Sequence, residues 1–129
     1  MLDLATDLIP IVRAGTSVAV VTVTAVARSA PRGVGASLAV TADGRLLGSI
    51  SGGCVEGDAV MLAHLVLADG HARTARFGYT DEQAHTAGLA CGGAVEVLAY
   101  PVRATDPVAS SALEDATSGR AVSVGILAS

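Results

Sequence analysis

The sequence predicts an α/β fold: a single domain with a mixed β-sheet of about five or six strands and helices packed on it. Apolar, β-branched runs of strand length recur along the chain, and segments with helical apolar spacing separate several of them. An Asp-Gly turn joins two short runs as a hairpin. At 129 residues the chain is long enough for one core, so we expect one domain over residues 1–129.

Residues 2–14 are predicted to form a helix that ends at Gly15, because apolar side chains recur there at helical spacing. Pro10 predicts a kink in this helix or its division into two pieces. Residues 17–27 are almost continuously apolar and β-branched. This pattern is typical of a central strand that is buried on both faces.

Residues 37–41 and 45–50 flank Asp43-Gly44 and are predicted to form a hairpin. The segment 55–68 is predicted to be a helix and is apolar on most of its circumference. We therefore expect this helix to lie buried between the sheet and another surface, such as a second subunit, with His64 as a hydrogen-bonded core residue.

The C-terminal half predicts strands at residues 72–77, 94–100 and 121–127. Asp106-Pro107 is a favourable helix start, because aspartate caps the free amides and proline suits the first helical position. The buried face of that helix is expected to begin at Val108.

Composition excludes two classes of partner. The net charge is −4, and the basic residues do not cluster on a face that could bind nucleic acid. No apolar stretch reaches the roughly 20 residues needed to cross a bilayer. Because acidic residues stand where a signal peptide would be positive, we expect a cytoplasmic protein whose two cysteines are free thiols.

The segment 48–57, Gly-Ser-Ile-Ser-Gly-Gly-Cys-Val-Glu-Gly, is predicted to be a tight turn from a strand into a helix. Adjacent glycines permit unusual backbone angles, and the amides at a helix start favour an anion or a thiolate. Cys54 in this turn should have a lowered pKa. The alternative is that Cys54 is a small buried hydrophobic residue.

The phrase returns at residues 88–97, and five of the ten aligned positions are identical. If the two turns converge, Cys54 and Cys91 line one cleft. Glu56 and Glu96 occupy matching places, which permits a paired role in a site. Equally, Glu56 could serve the helix dipole and Glu96 could be an exposed strand residue.

The loop after the first strand contains Arg28 and Arg32, which suit a phosphate or carboxylate, although loop arginines are often only solvated. Three phrases in this order closely resemble the XdhC/CoxI family: residues 29–37, 48–57 and 77–97. The resemblance spans roughly Val12 to Val102. That family is associated with the maturation of molybdenum hydroxylases such as xanthine dehydrogenase and carbon monoxide dehydrogenase.

The resemblance implies a chaperone rather than an enzyme with turnover of its own. Such a protein transiently binds molybdenum cofactor (molybdopterin), holds it while a cysteine desulfurase installs the terminal sulfur, and passes it to the apoenzyme. Carried onto this sequence, Cys54 and Cys91 are the candidate metal ligands, and the cofactor-binding residues are Arg32, Ser51, Gly52, Gly53, Cys54, Glu56, Cys91, Gly92 and Gly93.

Two alternatives stay open. Cys54 could be the nucleophile of a thiol enzyme or a sulfur carrier. The chain could instead be a structural subunit that docks a partner through the helix at 55–68. Many family members continue into a second, Rossmann-like domain, and we expect none within these 129 residues.

Overall fold

A computed structural model describes residues 1–27, 33–50, 56–78 and 94–119. The predicted strand at 121–127 lies outside the described residues. The elements are the strands β1 (Val18–Ala27), β2 (Ser37–Thr41), β3 (Leu46–Gly48), β4 (Arg73–Gly78) and β5 (Ala94–Val102), and the helices α1 (Ala5–Arg13), α2 (Glu56–Asp69) and α3 (Pro107–Thr117).

The five strands form one sheet in the order β3-β2-β1-β5-β4. The predicted fold class and strand number are confirmed, and β1 is central as expected. The hairpin at Asp43-Gly44 joins β2 to β3. Every pairing among the described strands is antiparallel, which refines the prediction of a mixed sheet.

Both faces of β1 are buried over Val18–Val21, as its sequence predicts, whereas Thr24 near the end of the strand is exposed. Ala19, Val21 and Val23 point into a core beneath α2, and Val18 and Val20 point into a second core beneath α1 and α3. Side chains alternate across a strand, so a continuously apolar strand fits only a sheet that is covered on both sides. The sheet is therefore the middle of three layers.

The N-terminal helical segment forms in two pieces, because a 3-10 turn (Leu2–Leu4) precedes α1. The junction lies at Leu4 and Ala5, whereas Pro10 sits inside α1. Proline at that position cannot donate a hydrogen bond to the preceding turn.

The Asp106 side chain caps α3 as predicted, accepting hydrogen bonds from the amides of Val108 (3.0 Å) and Ala109 (3.3 Å). The predicted buried face is wrong at its first position. Val108 is 71% exposed, and Ala109, Ala112 and Leu113 are buried instead. The start of a helix is oriented by its cap and by the preceding loop, which apolar spacing does not encode.

In the isolated chain the sheet covers one side of α2, and the second covering surface expected for this helix stays a prediction. The side chains of α2 that face the sheet are small and fully buried, but Met61 is 68% and Leu65 is 53% exposed. His64 is also exposed and is not a core residue. The apolar circumference predicts a covering surface on both sides of the helix, and among the described residues the sheet provides one of them. No helix within the described ranges is long and apolar enough to cross a membrane.

A partly buried polar network connects the N-terminal turn to β2. The Ser37 hydroxyl accepts a hydrogen bond from the Met1 amino group (2.6 Å), and the Ser37 amide donates to an Asp3 carboxylate oxygen (3.1 Å). Thr22 bridges Ser37 (2.9 Å) to the hydroxyl of Tyr100 (3.5 Å). Burial raises the pKa of Tyr100, although the hydrogen bond to Thr22 partly offsets this effect.

Gly48, the last residue of β3, permits close packing of this network. Its φ is +74°, and a Cβ there would lie 2.4 Å from the Ser37 carbonyl oxygen and 2.9 Å from Leu4 Cδ2. The Leu4 side chain could shift, but the Ser37 contact is with backbone and is not sterically allowed. The backbone angle alone also disfavours any residue with a side chain.

We predict that Gly48→Ala destabilises the fold far more than Gly44→Ala. Gly44 also has a positive φ, +92°, but a Cβ there would meet nothing within 4 Å. Gly44→Ala should therefore cost about 1–2 kcal/mol of backbone strain alone. Denaturant unfolding of both variants measures the difference, and equal losses would show that the steric contacts at Gly48 do not matter.

Candidate functional site

The segments that carry the sequence motifs are attached at one edge of the sheet. β1, β3 and β4 end there, at Ala27, Gly48 and Gly78, and β5 begins there at Ala94. This follows from the pairing, because antiparallel neighbours bring the end of one strand beside the start of the next. Ala27 and Gly78 both pair with Ala94. We call this side of the sheet the motif edge.

Of the residues expected to bind cofactor, Glu56 is among those the structure describes. The other eight lie outside the described residues: Arg32, Ser51, Gly52, Gly53, Cys54, Cys91, Gly92 and Gly93. Of the described residues that flank these segments, Ala27, Gly78 and Ala94 lie at the motif edge, and the strand that leads into the first Gly-Gly phrase ends there at Gly48. Convergence of the two Gly-Gly turns stays a prediction. The turns can meet only if their segments are attached at the same edge of the sheet, which the structure shows.

The strands do not end at the same level along the motif edge, so the edge has a lower step at β3 and an upper step at the start of β5. Gly48 pairs with Leu38, Leu38 with Val21, and Val21 with Ala99, so the end of β3 is level with Ala99. Ala94 lies five residues further along β5, or about 17 Å at roughly 3.3 Å per residue. The first Gly-Gly phrase therefore starts at the lower step and the second returns to the sheet at the upper step.

Glu56 holds together the two ends of the first Gly-Gly phrase. One of its carboxylate oxygens accepts hydrogen bonds from the Ser49 hydroxyl (2.7 Å) and from the Ile50 amide (3.0 Å). Ile50 is fully buried in the core beneath α2. Glu56 thus joins the first turn of α2 to the end of β3, which is more than a helix-dipole role.

The two matching glutamates do not come together in the described structure. Glu56 belongs to α2, which packs on one face of the sheet. Glu96 alternates with Val95 and Val97, which point toward α2, so Glu96 points to the other face. It is 54% exposed and pairs with Arg76 at 3.9 Å. The interpretation of Glu96 as an exposed strand residue is the correct one.

Arg76 was not among the expected site residues. It lies on β4 next to Glu96, and with Thr24 and Thr74 it borders an open depression on the face opposite α2. The signal available in the sequence was the alternation of polar and apolar residues in the predicted strand at 72–77. Within the described ranges, no group of three or more His, Cys, Asp or Glu side chains could hold a metal ion.

We predict that Glu56→Ala lowers the free energy of unfolding by about 1–3 kcal/mol, because two hydrogen bonds to a carboxylate are lost. Asp58→Ala is the matched control, since it removes an exposed acid from the same helical turn. It should cost about 0.5 kcal/mol, the helix-dipole contribution. Urea unfolding compares the two, and equal losses would reduce Glu56 to a dipole role.

Comparison with solved structures shows the same fold. A protein from Bacillus halodurans whose structure is described as that of a xanthine dehydrogenase superposes with a TM-score of 0.67 at 24% identity. The match covers 89% of this chain and 35% of that one. At this level of identity, the likeness extends to the fold alone.

Sequence comparison identifies the family. The molybdenum cofactor insertion chaperone PaoD of Escherichia coli strain K12 is 32% identical over 94 residues, which cover 73% of this chain. The match spans only 29% of that relative's length. The XdhC and CoxI family matches residues 11–78, more than half of the chain. The chain therefore belongs to the XdhC and CoxI family.

Proposed function

We propose that this chain is a molybdenum-cofactor-binding chaperone that assists the maturation of a molybdenum hydroxylase of the xanthine dehydrogenase or carbon monoxide dehydrogenase type. The observation that carries the proposal is the motif edge, because all three motif-bearing segments attach there to one sheet. The relative PaoD, whose name describes cofactor insertion, supports the same role. The cofactor binds transiently and is passed to the apoenzyme.

The charges near α2 indicate how the cofactor would be held. Molybdopterin carries a phosphate and a sulfur-bound metal. The first turn of α2 contains Glu56 and Asp58, and these carboxylates oppose a phosphate at that helix start. The phosphate is better served by Arg32, because a guanidinium matches phosphate geometry.

The thiols suit the metal end, because soft sulfur ligands favour metals already bound by sulfur. Cys54 is two residues before Glu56, so their Cα atoms lie within about 7 Å whatever the backbone conformation. Glu56 joins α2 to Ile50 and so holds the start of the first Gly-Gly turn in position. Cys91, from the second Gly-Gly phrase, would approach from the upper step of the motif edge.

Sulfuration is the second step of the proposal. A cysteine desulfurase would install the terminal sulfur while the chaperone shields the cofactor, and release to the apoenzyme would follow. The XdhC and CoxI resemblance supports this order of events. Met61 and Leu65, exposed on α2 one to three turns beyond Glu56, offer apolar area next to the site that a recipient protein could contact.

The two alternatives make different demands. A thiol enzyme or sulfur carrier needs a nucleophilic thiol at Cys54 that turns over without the cofactor. A docking subunit needs an exposed apolar surface, which Met61 and Leu65 supply, but it has no use for the cofactor. Cofactor uptake therefore distinguishes both alternatives from the chaperone.

We predict that the purified chain takes up molybdenum cofactor, observed as added mass in native mass spectrometry and as cofactor absorbance. Cys54→Ser and Cys91→Ser should each weaken uptake, because oxygen is a poorer ligand for a sulfur-bound metal. Ser111→Ala, an exposed change on α3, is the control. No uptake by the wild-type chain would contradict the proposal. Unchanged uptake in both cysteine variants would show that the thiols do not bind the cofactor.

We predict that the two Gly-Gly turns converge closely enough for their thiols to be crosslinked. Cys54 and Cys91 are the two cysteines of the chain, so a short bis-maleimide reagent at low protein concentration reports on this one distance. Peptide mapping should find the two residues joined within one chain. If each thiol reacts singly and no intramolecular product forms, the common cleft does not exist.

A further inference from the structure

A polar patch lies beside the upper step of the motif edge, on the sheet face opposite α2. It consists of Thr24 on β1, Thr74 and Arg76 on β4, and Glu96 on β5, around an open depression of about 480 Å³. Elsewhere on this face, α1 and α3 cover Val20 and other apolar side chains. In the patch the strands carry exposed charged side chains on this face instead.

Backbone irregularity shapes this patch. The register of β1 against β5 shifts between Val23 and Ala25, so Thr24 is the extra residue opposite Glu96. The Thr24 hydroxyl donates a hydrogen bond to the Glu96 carbonyl oxygen (3.2 Å). A β-bulge redirects a side chain and locally bends the strand, and bulges recur beside functional sites.

The charged pair in the patch is available to a ligand. Arg76 and Glu96 are 63% and 54% exposed, and their closest nitrogen and oxygen atoms are 3.9 Å apart. A second exposed pair, Arg13 and Glu114, is much tighter at 2.9 Å. Exposed pairs contribute little to stability, so redirecting Arg76 and Glu96 toward a bound molecule costs the fold little.

We propose that this polar patch binds the pyrimidinone edge of the pterin ring of the cofactor, an inference that rests on the proposed function. That edge presents two adjacent N–H donors and one carbonyl oxygen. The Glu96 carboxylate can accept both donors, and the Arg76 guanidinium can donate to the carbonyl. The neighbouring carboxylate and guanidinium thus match the two N–H donors and the carbonyl oxygen in the order in which the ring presents them.

The position of the patch agrees with the two ends of the cofactor. Glu96 is three residues after Gly93, so chain connectivity keeps their Cα atoms within about 11 Å. A ligand whose metal end lies at the second Gly-Gly phrase therefore has its ring within reach of Glu96. The ring would be recognised by Arg76 and Glu96, and the metal end by sulfur.

Pterin itself tests the proposal, with lumazine as the comparison ligand. Lumazine has a carbonyl in place of the 2-amino group and so presents an acceptor to the carboxylate. Titration followed by ligand fluorescence should show that the wild-type chain prefers pterin. Glu96→Gln should weaken pterin binding by about tenfold, because the amide oxygen can accept only one of the two N–H donors. It should also reduce the preference for pterin over lumazine.

Matched controls come from the tighter surface pair. Glu114→Gln and Arg13→Gln neutralise charges of the same kind on α3 and α1, and pterin affinity should stay unchanged in both. Arg76→Gln should weaken pterin binding, while circular dichroism confirms that each variant is folded. The proposal is overturned if the wild-type chain does not bind pterin, if it binds lumazine equally well, or if Glu96→Gln behaves like Glu114→Gln.

Uptake of the whole cofactor separates this inference from the proposed function. If the wild-type chain takes up cofactor and Glu96→Gln takes it up equally well, the polar patch is not the ring site and the chaperone role stands. If the wild-type chain binds pterin selectively but takes up no cofactor, ring recognition stands and the chaperone role fails.

Discussion

The antiparallel pairing of β1 with both β2 and β5 is the constraint on which the rest of this structure depends. It places the end of β1 and the start of β5 at one edge of the sheet, and the hairpin partners β3 and β4 then end at the same edge. Three segments that are distant in sequence therefore begin or end on one rigid surface. A parallel crossover at any of these pairings would have sent one segment to the opposite edge.

The small size of the core residues makes this arrangement compact. α2 contacts the sheet through Ala59, Ala63 and Val66, all fully buried, so the helix axis can approach the strands closely. Small side chains each bury little apolar area. Close approach compensates for this, because dense packing makes many dispersion contacts. The same closeness brings Glu56 to the end of β3, where its carboxylate binds Ile50.

Much of the fold could be predicted from the sequence, because its signals are local. The continuous apolar run of β1, the Asp43-Gly44 turn and the Asp106 cap each specify geometry within a few residues. The errors occurred where burial depends on a distant element. His64 on α2 was expected in the core but is exposed, because the positions of a helix that are covered depend on how the other elements pack against it.

The candidate site was predictable in part for a similar reason. The Gly-Gly phrases are local patterns and could be recognised, and Glu56 was identified with them. Its hydrogen bond to Ile50 could not be predicted, because it depends on how the turn folds back. The proximity of Arg76 to Glu96 depends on the register of β4 against β5, and one sequence does not contain that register.

The outermost described strands have a consequence for assembly. β3 is three residues long, and β4 carries Arg73 and Arg76. Short edge strands and edge charges discourage another chain from extending a sheet through main-chain hydrogen bonds, which is a common route to aggregation. Another chain would therefore gain little by pairing its main chain with β3 or β4, so contacts at these two strands are left to side chains.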